Sequence, residues 1–148
     1  MTFKHRFATS MALACLALAS LSAVADDHAY TEGQVVNVAA VRTVAGKFDE
    51  YMKYIDTTWK QSQEAAKKAG YIVSYQVLQV EPRTESDADL YLVITYKDWA
   101  ALDGALAKGD AIVKQVEGSV AASDQGVVDR NKIRRLIGSA TMQVLNLK

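Results

Sequence analysis

Cysteine, histidine and proline are nearly missing from this chain: its 148 residues hold one cysteine, Cys15, two histidines, His5 and His28, and one proline, Pro82. Each scarcity removes a class of function. A single cysteine forms no internal disulfide, so stability must come from packing or from association between subunits. Beyond His28, near the start, the body of the chain has neither histidine nor cysteine, so a structural zinc site, a Ser-His-Asp set and a thiol nucleophile are not expected. An excess of one charge is missing too, since 17 Lys and Arg balance 17 Asp and Glu. Nothing in that balance favours DNA or RNA as a partner. The chain shows no repeat and no low-complexity linker, and its length suits one ordinary hydrophobic core.

What is present begins with an export signal. Lys4, His5 and Arg6 precede an apolar run over 7–19 that is too short and too alanine-rich for a membrane span. Small residues follow at signal-peptidase spacing, Ala23-Val24-Ala25, and then the acidic pair Asp26 and Asp27. Residues 1–25 therefore read as a signal peptide cut after Ala25, placing the mature protein in the periplasm or outside the cell with no stable membrane anchor. A lipoprotein signal ending at Cys15 fits less well, because it would leave the apolar 16–24 stretch on the product. Cleavage removes Lys4 and Arg6 and leaves the mature chain slightly acidic. Residues 26–33 are expected to form a flexible N-terminal segment and 34–148 a single domain.

Within that domain, the valine-rich, loosely alternating 34–42 segment predicts a strand. After Gly46 the spacing turns helical, with Phe48, Met52, Ile55, Trp59, Ala66 and Ala69 along one face. Asp49 and Glu50 in its first turn, Lys67 and Lys68 in its last and Gly70 beyond suit the helix dipole and a glycine cap. Residues 71–80 and 90–96 predict two strands joined across a polar connection holding Pro82. Asp98 is a good N-cap, and helical pattern with glycine interruptions runs to about Ile137. A last strand is expected over 140–147. The order is β-α-β-β-α-β, and right-handed crossovers turn that into an antiparallel sheet with helices on one face, an α+β ferredoxin-like arrangement.

One sheet face is then bare. Leu90, Leu92, Ile94 and Tyr96 read as the helix-covered set of the third strand, leaving Tyr91, Val93 and Thr95 facing away. Matching apolar content assigns Asn37, Val41, Val73, Tyr75, Val77, Gln143, Leu145 and Leu147 to that open face, which is apolar enough to call for a partner sheet and so for a homodimer.

From Val35 to the C-terminus the chain resembles the dimeric α/β-barrel group of the ferredoxin-like fold, which includes antibiotic-biosynthesis-type monooxygenases, NIPSNAP-like and EthD-like proteins. The resemblance rests on the element order, on Val-Ala-Gly-Lys-Phe-Asp-Glu-Tyr at 44–51, and on Tyr-Leu-Val-Ile-Thr-Tyr-Lys-Asp-Trp at 91–99. It implies a dimer closing an eight-stranded barrel. Haem-using members hold iron through a histidine, which the body of this domain lacks, so a cofactor-free oxygenase is the enzyme class that the resemblance leaves open. Such an enzyme needs neutral donors to position substrate and stabilise an anion. Asn37, Tyr75, Tyr91, Thr95 and Gln143 are the candidate ligand-binding residues, with Asn37, Tyr75 and Tyr91 holding substrate and oxygen in the enzymatic version. The structural account of the same residues is hydrogen bonding across a dimer interface.

Other features have plain explanations beside functional ones. Trp59 and Trp99 could line a pocket, yet both fall where a helix packs. Arg130, Lys132, Arg134 and Arg135 could draw an anion, yet Asp129 interrupts them and a solvated helix face explains them. Asp49-Glu50 and Asp87-Asp89 belong to a helix start and a loop. The cut after Ala25 would also expose Asp26-Asp27-His28, whose amine, two amides and imidazole supply four nitrogens in a plane, a set suited to Cu(II) or Ni(II) and in need of no fold. No other cofactor is expected. The leading reading is an exported dimeric domain binding a small, mostly apolar ligand. The alternatives are the cofactor-free monooxygenase on an aromatic or polyketide-like compound and an interaction protein whose 109–138 helices carry specificity.

Overall fold

The computed structural model describes residues 28–148, and it is built around two long strands, β1 (Tyr30–Thr43) and β4 (Arg134–Leu147). Between them run α1 (Phe48–Tyr54), a π-helical stretch (Ile55–Trp59), α2 (Lys60–Lys68), β2 (Ser74–Gln79), β3 (Leu90–Tyr96), a 3-10 turn (Trp99–Leu102), α3 (Ala105–Glu117) and α4 (Val120–Arg130). The fold is α+β, with a four-stranded antiparallel sheet ordered β2-β3-β1-β4, and is compatible with a ferredoxin-like arrangement. Among the described residues no helix is long and apolar enough to cross a membrane. The signal peptide read over 1–25 lies outside the described residues.

The helix expected after Gly46 is present from Phe48 to Lys68, through its π-helical stretch, and ends where Gly70 takes φ 74°. That left-handed backbone suits glycine, which has no Cβ to clash. Asp98 caps the 3-10 turn by accepting from Ala101 N, and Ser119 caps α4 by accepting from Ala122 N.

Strand boundaries differ from expectation at both ends of the domain. β1 begins at Tyr30, since 30–32 pair with 145–147 of β4, and residues 134–137 are strand where helical pattern was expected. Asn131, Lys132 and Ile133 form the turn between α4 and β4, and Val44 N donates to the Ile133 carbonyl oxygen at 2.9 Å, so pairing with β1 takes over at once.

The core lies on one sheet face. Val41, Leu90 and Leu92 pack against Tyr51 and Ile55, with Ala39, Phe48, Met52, Trp59, Val77 and Ile133 around them. Val41 and Leu90 are each 1% exposed and sit opposite one another in register. Burying side chains of this size contributes about 1.5–3 kcal/mol each.

Register also corrects the face assignment. Val41 pairs with Leu90, Ala39 with Leu92 and Asn37 with Ile94, while Val77 pairs with Leu92 and Tyr75 with Ile94. Asn37, Val41, Tyr75 and Val77 therefore share the helix-covered face, not the open one. The open face carries Val36, Val38 and Ala40 of β1, Ser74, Gln76 and Leu78 of β2, Tyr91, Val93 and Thr95 of β3, and Ala140 and Met142 of β4. In β1 both parities are apolar, so apolar content alone gives no vote, and cross-strand pairing decides.

Candidate functional site

Three places on the molecule gather chemistry, and the expected site residues divide between two sheet faces. Asn37 Nδ2 donates to Thr141 Oγ1 at 2.9 Å, and Gln143 Nε2 reaches the Gly33 carbonyl oxygen at 3.5 Å. Asn37, Thr141 and, through its pairing with Val35, Gln143 lie on the helix side of the sheet. Tyr75 is there too, its hydroxyl donating to Glu64 Oε1 at 2.5 Å and its ring edge-on to Trp59 at 5.4 Å. The Glu64 contact, more than burial, raises the Tyr75 pKa above the ordinary tyrosine value. Tyr91 and Thr95 sit on the open face. Asn37 and Tyr75 therefore do not meet Tyr91 within one subunit, and the three cannot hold one substrate together there.

The open face is the first place. It is apolar, and the strand at its edge is bare. Leu136–Leu147 contains no charged residue, and on this strand Met142 is 49% and Leu147 83% exposed. Edge strands are normally blunted by charge, proline or a covering element. At one end of this face Arg42 and Arg135 stand opposite each other in register.

Those arginines also line the second place, an open cleft of about 1040 Å³ with Thr43, Gly46, Glu81, Glu85 and Asp89. Its charges are mixed, and its best-placed carboxylate is occupied: Asp89 takes the Thr43 amide at 3.1 Å and the Thr43 hydroxyl. Nearby, donors from Thr84 hold Asp87 below the usual carboxylate range, with Arg42 adding to the effect. Among the described residues no three His, Cys, Asp or Glu side chains form a group able to hold a metal ion.

The third place is a cavity of about 230 Å³ between α2, α3 and the end of β3. Ala66 comes from α2, Tyr71 and Ile72 from the connection after it, Tyr96 from β3, and Leu102 and Ile112 from beyond. Ala105 and Gly109 lie one turn apart on α3, and their small size leaves the gap open. Lys108 Nζ closes the rim, donating to the Ala101 carbonyl oxygen at 2.8 Å. This set was not anticipated from sequence. The available signal was the spacing Ala101, Ala105, Gly109, small residues that offer little side chain to fill the space beside α2.

The remaining candidates have structural roles. Trp59 packs on the core and Trp99 is 48% exposed in the 3-10 turn. Arg130, partly exposed, has its guanidinium 4.5 Å from the Tyr54 ring centroid and beside Gly126, where any side chain would crowd it. Burial pushes the Tyr51 and Tyr54 hydroxyls up, with Arg134 and Arg130 respectively opposing the shift most strongly. His28 stacks on Tyr30 at 5.4 Å, while Asp26 and Asp27 of the terminal metal motif lie outside the described residues. Compared with protein-family models, curated proteins and solved structures, the chain matches none.

Proposed function

We propose that this chain is an exported, homodimeric α+β-barrel domain that binds a small, mostly apolar ligand. The observation that carries the reading is the bare sheet face continuous with a bare β4 edge that is uncharged from Leu136 to Leu147. A sheet with its core on one side and valine, leucine and methionine on the other gains from a second sheet placed over it, at about 25 cal/mol for each Å² of apolar surface removed from water. Two four-stranded sheets facing each other make eight strands, and a barrel of that size holds its own side chains or one small ligand. Tyr91 and Thr95 would face that interior as its neutral donors. Export rests on the leader sequence over 1–25.

The test is expression of the full chain with its leader, followed by native mass spectrometry of the exported product. A dimer beginning at Asp26 and carrying an extra organic mass is the expected result. A bare monomer would remove the barrel, and a product retaining residues 1–25 would remove the export reading.

A further inference from the structure

The cavity between α2 and α3 holds more chemistry than packing asks of it. Its walls are mostly apolar, with Tyr71, Ile72 and Ile112 prominent among them, and this half-open pocket offers about 230 Å³. An apolar void of about 150 Å³ binds benzene, so this one has room for a ring with a short substituent. One cation stands at its rim. Lys108 Nζ lies 5.6 Å from the Tyr71 ring centroid while donating to the Ala101 carbonyl oxygen. Among the described residues no carboxylate forms an ion pair with Lys108. An ammonium group has three donors, and the Ala101 contact uses one of them. Tyr96 lines the same cavity, and burial raises its pKa, which keeps it a neutral donor.

We infer that this cavity is a binding site for a small aromatic monocarboxylate, its ring against Tyr71, Ile72 and Ile112 and its carboxylate taken by Lys108 and Tyr96. One ammonium and one phenol match a single negative charge; a phosphate dianion asks for more donors than the rim supplies, and a neutral ring leaves the ammonium unused. The inference deepens the proposed ligand-binding function and rests on it only in part, because the site lies within one subunit and needs no barrel.

Phenylacetate is the probe, with phenylacetamide as its uncharged match, each titrated by calorimetry into the mature chain while NMR follows the Ile72 and Ile112 methyl groups. Saturable binding of one phenylacetate per chain is expected, roughly tenfold tighter than the amide, since the charge-assisted contact is made by the acid alone. Lys108→Met keeps the stem over Tyr71 and removes the charge, so it should abolish that preference. Tyr96→Phe should weaken phenylacetate several-fold. Gly109→Leu fills the gap and should abolish binding of both probes; a Cβ there meets nothing within 4 Å and leucine favours a helix, so the fold is retained. Equal affinity for acid and amide, unmoved Ile72 and Ile112 methyls, or undiminished phenylacetate binding by Lys108→Met overturns the inference. Light scattering on the same samples separates the two readings. A monomer that binds phenylacetate keeps this site without the barrel, and a dimer that ignores it keeps the barrel without this site.

Discussion

Thr43 holds the carboxylate of Asp89 by two groups, its backbone amide at 3.1 Å and its hydroxyl. Asp89 N in turn donates to the Val41 carbonyl oxygen at 2.9 Å, so this pair ties the end of β1 to the start of β3. Thr43 is buried, and Thr43→Val keeps its shape while depriving the carboxylate of a donor. The substitution should cost about 1–2 kcal/mol. A urea midpoint that falls at unchanged m would report it, and Thr43→Ser, which keeps the hydroxyl, should lose less.

Alkaline pH should weaken the fold through Tyr51 and Tyr54. Burial holds both hydroxyls above the ordinary value of 10.0, so the folded state keeps protons that the unfolded chain releases. Stability is fully present below the unfolded pKa, near 10, and is lost as the pH rises from there through the folded values. Denaturant unfolding followed from about pH 8 to about pH 11 should show that decline, and it should be shallower in Tyr51→Phe and Tyr54→Phe. A decline of equal slope in those variants would assign it to other groups.

Charge on the bare strand should separate subunits without unfolding them. Met142 is 49% exposed on the open face. Met142→Lys should turn a dimer into a monomer by light scattering while the circular dichroism spectrum of the folded chain is kept, and the monomer's stability should no longer depend on protein concentration. Retained dimer would place the interface elsewhere.

Gly109 sits inside α3 with nothing within 4 Å of a built Cβ and without a positive φ. Gly109→Ala should therefore stabilise the protein by about 0.5–1 kcal/mol, the propensity difference between the two residues. A higher thermal midpoint checks it.

A mature chain beginning at Asp26 should bind Cu(II) through its terminal amine, two amides and His28. Titration followed by the visible absorption of square-planar Cu(II) should give one site per chain. His28→Ala, or one residue added before Asp26, should abolish that site. Equal affinity in the altered chains would refute it.

Much of the scaffold is legible in the sequence because its signals are local. The helix from Phe48 shows its apolar stripe, its acidic start, its basic end and Gly70, all within reach of one another along the chain. The alternation in 90–96 likewise gives β3 and its buried set, Leu90 and Leu92. Face assignment in β1 is different. Val35, Val36, Val38, Ala39, Ala40 and Val41 are apolar on both parities, so only the pairing of Val41 with Leu90 tells inside from outside. The candidate site suffered for the same reason: Asn37 and Tyr75 moved to the helix side with that register, leaving Tyr91 and Thr95 on the open face.

Sequence by itself determined the helix that follows Gly46, the strand over 90–96 with its buried Leu90 and Leu92, and the scarcity of histidine and cysteine, because each depends on residue type or on neighbours a few positions away. Tertiary structure decided which faces of β1 and β2 are covered, that β4 starts at Arg134, and that Tyr71, Tyr96 and Lys108 meet around one cavity. Those facts depend on pairing between residues far apart in the chain, where a one-residue slip reverses every side chain of a strand and leaves the sequence pattern equally satisfied.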